Sequence, residues 1–203
     1  MAPDWRGGFL FVGNQLALDF LNTRPVIQGQ PVEMLPDCGA MARWLAAAGL
    51  ITLLQSARLK RLWSAPEYTP VIEELWKLRE SLRRAVLKLE VGDSPSEGFL
   101  RDLNELLQEY PYVDRIVRGE FGLERRKRFV PQLPKHVFAP LADAIGGLLT
   151  NSTKSRIRKC KNCILHFYDT SKKGTRLWCS MSLCGNRSKV AAYARRRRAA
   201  AQD

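Results

Sequence analysis

Cys160-Lys-Asn-Cys163 and, fifteen residues on, Cys179-Ser-Met-Ser-Leu-Cys184-Gly-Asn-Arg187 decide how the last quarter of this chain folds. Two close cysteine pairs at this separation have the spacing of a tetrahedral metal site. A two-residue gap lets one tight turn aim two thiolates at one ion, and the loop between the pairs brings the second pair to the opposite side. Thiolates are soft ligands, and four of them favour zinc in a reduced compartment. Lysines and arginines nearby favour the thiolate form. The expected ligands are Cys160, Cys163, Cys179 and Cys184, around one structural Zn2+ with no open position for a catalytic water. Four unrelated thiols, or two disulfides, are the competing reading. His166, three residues after Cys163, is a rival ligand and reads as a bystander or a group behind the ligands. His136 falls in an apolar helical pattern. Cys38, at a helix start, reads as a small buried residue.

The charge follows the cysteines. From Asn151 onward fourteen Lys and Arg face two acids, Asp169 and Asp203, an excess of +12. The first 150 residues hold nineteen basic and eighteen acidic residues, so almost all of the net +13 lies in the last quarter. The expected division is residues 1–150, a near-neutral globule, and residues 151–203, a compact cation that seeks phosphate or another polyanion. A solvated basic tail is the bland alternative, and the four cysteines argue against it. A chain of 203 residues with 45% hydrophobic and 26% charged residues is no disordered polymer. It buries roughly 70% of its unfolded surface, enough for a core without disulfides. No apolar run approaches the ~18 residues of a membrane span, and no secretory pattern opens the chain. The expectation is no membrane, a cytoplasmic location and reduced thiols.

The segment Trp178-Cys-Ser-Met-Ser-Leu-Cys-Gly-Asn-Arg187 resembles the CGNR-type zinc finger of bacterial proteins. Cys160-x2-Cys163, Phe167, Asp169 and Arg176 match the same pattern, while Lys173-Gly174 and Leu177 fall in its variable part. Asn14-Gln-Leu-Ala-Leu-Asp-Phe-Leu-Asn-Thr23 resembles the opening of the ABATE domain that precedes this finger in the family. Asp37 through Trp44-Leu45, and Leu78-Arg-Glu-Ser-Leu82, resemble its helical body. The resemblance implies a stress-induced transcription regulator with a treble-clef-like finger that holds zinc and binds DNA.

The fold class expected is α+β: a mostly α-helical N-terminal domain with a β-hairpin, then the small finger. Phe9 to Val12 suits a strand, and Leu16 to Leu21 suits either its extension or a helix. Asp37 caps a helix that faces inward through Ala40, Met41, Trp44, Leu45 and Ala48 and stops at Gly49. Thr52-x-x-Gln55 is a capping box for a helix reaching about Trp63. Thr69-Pro70 opens the longest helix, with Val71, Leu75, Leu78, Leu82, Val86 and Leu89 at helical steps and Gly92 as the stop. Ser94-Pro95-x-Glu97 caps another, with Phe99, Leu103, Leu106 and Tyr110 inward. Apolar residues between charges from Tyr112 to Val130, with Gly119 and Gly122, predict a hairpin. Leu133 to Leu149 returns to helix, and Asn151–Ser155 is a polar joint.

In the finger, Asn186 is the expected cap of a terminal helix that packs inward through Val190, Tyr193 and Ala194. Arg187 and Lys189 are candidates for base contacts, and Lys172, Lys173, Arg176, Arg195, Arg196, Arg197 and Arg198 for phosphate contacts. Arg187 has a second reading, bonding carbonyls around the zinc turn. Phe167, Tyr168 and Trp178 either stack on single-stranded RNA bases or form the finger's own small core. In the N-terminal part, Asp19 and Asn22 interrupt an apolar run and need buried partners. With Arg79, the expected partner of Asp19, and Trp44, they either line a small-molecule effector site or form an internal ion pair and turn cap.

No phosphate-binding glycine loop, metalloprotease helix or nucleophile elbow is present, so no enzyme activity is expected. The partners expected are DNA, with RNA or an acidic protein as the alternatives, and an effector. A homodimer would strengthen a single finger's grip. An enzyme in the N-terminal part, anchored by the finger, is the remaining alternative.

Overall fold

The computed structural model describes residues 4–151 and 153–199. Strands β1 (Trp5–Arg6) and β2 (Phe9–Leu10) pair antiparallel. Beyond them Gly13 turns the chain into α1 (Leu16–Leu21). A Cβ on Gly13 would stand 2.7 Å from the Asp19 amide nitrogen, so only glycine fits. This close turn settles what periodicity left open. The Asp19 amide donates to the Gln15 carbonyl at 2.9 Å, and the segment becomes a buried helix.

A second short hairpin follows, β3 (Val26–Ile27) with β4 (Gln30–Pro31). Then α2 (Cys38–Ala47) starts where Asp37 accepts the Ala40 amide, and α3 (Leu53–Leu62) starts at the full Thr52–Gln55 capping box. The long α4 (Thr69–Glu90) buries Ile72, Leu75, Leu82, Ala85, Val86 and Leu89, and Gly92, at φ 87°, follows its end. α5 (Glu97–Glu109) is capped by Ser96, whose hydroxyl accepts the Phe99 amide at 3.3 Å, and not by Ser94. From Ser94 the same bond would reach only Glu97, a residue too early for a helix that turns Phe99 and Leu103 to the core.

The predicted hairpin is β5 (Val113–Gly119) and β6 (Gly122–Arg128), in register from Val113↔Arg128 to Gly119↔Gly122. A single turn at Pro134–Val137 leads into α6 (Phe138–Asn151). The main core gathers around α1. Trp44 of α2 stacks on Phe11 at 6.2 Å and meets Phe20 edge-on at 6.1 Å, while Leu141, Ile145 and Leu148 of α6 close another side. Each such side chain contributes roughly 1.5–3 kcal/mol through burial.

The last segment forms strands β7 (Ile157–Lys159) and β8 (His166–Tyr168), antiparallel, and then α7 (Asn186–Ala199). Its core is shared with the N-terminal part. Leu10 and Val12 pack with Leu165, Phe167, Cys160, Cys179 and Cys184 in one buried cluster. Among the described residues no helix is long and apolar enough to cross a membrane.

Candidate metal centre and functional site

The turn between β7 and β8 carries the first cysteine pair. The Cys160 amide donates to the Leu165 carbonyl at 2.8 Å, closing the turn, and the Asn162 amide points at Cys160 Sγ at 3.5 Å. The second pair flanks a wide turn, Met181–Gly185, that runs straight into α7. Ser180 caps this turn, accepting the Ser182 amide at 3.1 Å, while Asn186 is already helical. The expected Asn186 cap is therefore replaced, because the helical run begins five residues earlier. The hydroxyls of Ser180 and Ser182 both donate to Asp4, so the N-terminal hairpin clasps this turn.

All four sulfurs lie within 4.8 Å of one another, and Cys163 Sγ is 3.7 Å from Cys179 Sγ. Sulfurs at ~2.3 Å from a tetrahedral ion stand about 3.8 Å apart. The set therefore fits one zinc ion, and four thiolates complete its shell. Sharing with the Cys160 sulfur and burial push the Cys163 thiol up to about 12, while bonds from Cys163 and Cys179 draw the Cys160 thiol down. Zinc must displace the thiol protons, so its binding weakens as pH falls. Cys38 stands apart: burial, helped by Asp37, pushes its thiol up to about 11, and its Sγ donates to the Tyr68 carbonyl.

The residues around the centre are braces. Asn162 Nδ2 donates to the Cys184 carbonyl at 2.8 Å, tying the two cysteine turns together. Arg187 Nη2 donates to the Asn162 carbonyl at 2.9 Å and lies 3.4 Å from Cys184 Sγ. Of its two readings, the carbonyl bond is the one observed. Arg176, expected on phosphate, lies over the Phe167 ring and donates to the Trp178 and Cys179 carbonyls. Its guanidinium is drawn there because those carbonyls have no strand partner in the loop. Burial works against the Asp169 carboxylate. Hydrogen bonds from Ser171 and the Arg176 amide, with the Arg158 guanidinium, outweigh it and hold the pKa below the usual carboxylate range.

Phe167 is buried and Trp178 half-buried in the finger's own cluster, while half-buried Tyr168 packs against the main core instead. Val190 and Tyr193 do not pack inward as expected. They are 68% and 57% exposed, and Ala194 is exposed too, because α7 leaves the finger core after Cys184. Lys172, Lys173, Lys189 and Arg197 are also exposed. The side chains of Arg195, Arg196 and Arg198 lie outside the described residues.

The four N-terminal candidates do not meet on one cavity. Arg79, 1% exposed, donates to Thr23 Oγ1 and Glu33 Oε1, both at 2.8 Å, and not to Asp19. Asp19 lies within α1 and accepts the Gly13 amide at 2.8 Å, whereas Thr23 lies past the helix's last turn and faces α4. Asn22 pairs with the His166 backbone, and Trp44 is fully buried in the core. These residues are internal struts. Sequence reasoning missed Glu33 as the partner of Arg79 and Asp4 as that of Ser180 and Ser182, since nothing local marks a contact across so many residues.

Burial pushes the Asp19 carboxyl up to about 6, against the Gly13 hydrogen bond and the Arg6 charge. Its folded value exceeds the unfolded one. The stability it contributes is full below about pH 4 and is lost as pH rises through 6. Asp19→Asn is expected to reduce the fall in unfolding free energy between pH 5 and 7 by about 1 kcal/mol, measured by urea titration. Parallel pH profiles of variant and parent would contradict this.

The model of the ABATE family, described as "Putative stress-induced transcription regulator", matches residues 14–152. That of the CGNR zinc finger matches residues 156–197. A search of the curated proteins finds no match. With the zinc cage built from Cys160, Cys163, Cys179 and Cys184, and the helical body ahead of it matched over most of its length, this chain belongs to the ABATE family and carries a CGNR zinc finger.

Proposed function

We propose that this protein is a non-enzymatic transcription regulator that binds duplex DNA through α7 and the loop before it, and that its N-terminal body senses a small ligand. One observation carries the DNA reading. A helix anchored to a zinc-held turn stands with Lys189, Val190, Tyr193 and Arg197 all exposed. Such a helix has the size of a major groove and the charge to approach phosphates. Lys172 and Lys173, exposed on the preceding loop, add cations of the kind that position a reader without choosing sequence. The excess of +12 after residue 150 supports the same polyanionic partner. Arg187 and Arg176 are left out of the contact set, because their guanidinium groups hold the finger together.

Fluorescence anisotropy of the zinc-loaded protein with duplex DNA, single-stranded DNA and RNA tests this reading. Duplex is expected to bind most tightly, and affinity is expected to fall steeply with salt. Changing Lys172, Lys173, Lys189 and Arg197 together to alanine is expected to lower the slope of log K against log salt by about 3–4. Preference for RNA, or a slope untouched by the four substitutions, would overturn it.

A further inference from the structure

An open groove of about 370 Å³ runs between α4 and the β7–β8 unit of the finger. That volume is in the range of small-molecule sites. Its walls include Arg24 after α1, Arg83 and Leu87 on α4, and Lys159, Ile164 and His166 from the finger.

His166 is the unusual member. It is 2% exposed, and neither ring nitrogen has a hydrogen-bond partner among the described residues. The nearest polar group is Glu90 Oε1, 3.3 Å from Nε2. A buried polar group left without a bond costs roughly 1–3 kcal/mol. The imidazole is also held in place, because Asn22 grips its backbone on both sides. The groove thus has a fixed imidazole, backed by Glu90, on one wall.

Its charge is positive in excess. Arg24, Arg83 and Lys159 face Glu80, which lies 3.8 Å from Arg24 and 3.2 Å from Arg83, while Glu90 sits beside the imidazole. Lys159 forms no salt bridge among the described residues and is exposed. Leu87 and Ile164 give the groove an apolar wall.

We infer that this groove binds a small organic anion, a carboxylate carried on an apolar ring or chain. The carboxylate lies at Lys159, Arg24 and Arg83, and the apolar part rests on Leu87 and Ile164 beside the His166 ring. Ile164 and His166 follow Cys163 out of the zinc turn, so an occupant touches the helical body and the finger at once. This rests on the proposed regulator reading only for its consequence: the groove is where an input would reach the DNA-binding part.

The test uses the zinc-loaded full chain without nucleic acid, titrated with benzoate and, separately, inorganic phosphate, and followed by NMR. Benzoate is expected to shift the His166 ring nitrogens and the Lys159 and Ile164 amides saturably, and phosphate to act at least tenfold more weakly. Lys159→Ala and Leu87→Asp, both at exposed positions, are each expected to weaken benzoate about tenfold. Arg101→Ala, on the exposed face of α5, is expected to leave it unchanged. No response at His166, an equal response to phosphate, or full affinity in Lys159→Ala would overturn the proposal. Because no DNA is present, failure here leaves the DNA reading standing, and failure to bind DNA leaves this site standing.

Discussion

Cys179→Ser is expected to lose the zinc ion and, with it, the folded finger. Cys179 is fully buried at the centre of the small core, and its sulfur lies 3.7 Å from that of Cys163. Structural zinc contributes about 10–16 kcal/mol of apparent binding energy in small fingers, and that energy is folding energy. Metal analysis is expected to fall from about one zinc per chain to near zero. The loss should also reach the other end of the chain. Leu10 and Val12 share a buried cluster with the ligand cysteines, and Asp4 accepts from Ser180 and Ser182. Methyl resonances of Leu10 and Val12 are therefore expected to shift when zinc is chelated. Cys38→Ser is expected to keep the metal, since Cys38 lies against Tyr68 and away from the cluster. A Cys179→Ser protein that still held one tight zinc would refute the four-thiolate cage.

Asn22→Ala is the second large effect. Asn22 is 2% exposed. Its Nδ2 donates to the His166 carbonyl at 2.8 Å, and its Oδ1 accepts the His166 amide at 3.0 Å. Alanine leaves both backbone groups buried without partners, and each costs about 1–3 kcal/mol. The sum is about 3–4 kcal/mol, or roughly a 10 °C drop in Tm for a chain of this size. Zinc should stay bound, because no ligand is touched, while amide exchange at His166 should quicken. Asn22→Asp should not rescue the fold: it turns the donor that faces the His166 carbonyl into an acceptor. A drop of less than about 2 °C in Asn22→Ala would show that the clasp contributes little.

These effects separate what is local from what is not. The ligands Cys160, Cys163, Cys179 and Cys184 were legible because a zinc turn is a matter of a few residues of spacing. The α3 capping box and the β5–β6 hairpin were legible for the same reason, since the partners lie within one turn or across one loop. Boundaries were less secure. Ser96 replaced Ser94, and Ser180 replaced Asn186, because a cap is chosen by where the helix must face. An internal role for Asp19, Asn22 and Arg79 was one of two readings, but their partners were not legible. A buried polar residue announces that it needs a partner, but not whether the partner is a ligand, a neighbour or a backbone strand 144 residues away.

The sequence by itself determined the zinc cage, the order of helices and hairpins and the basic character of the last quarter. All of these follow from spacing, periodicity and charge within short stretches. Only the tertiary structure decided that Asn22 and Leu10 complete the finger, that Arg176 and Arg187 turn inward, and that His166 is buried against Glu90 beside a groove. Those outcomes depend on which surfaces meet once the chain is packed, and burial makes a polar group's partner a property of the whole fold.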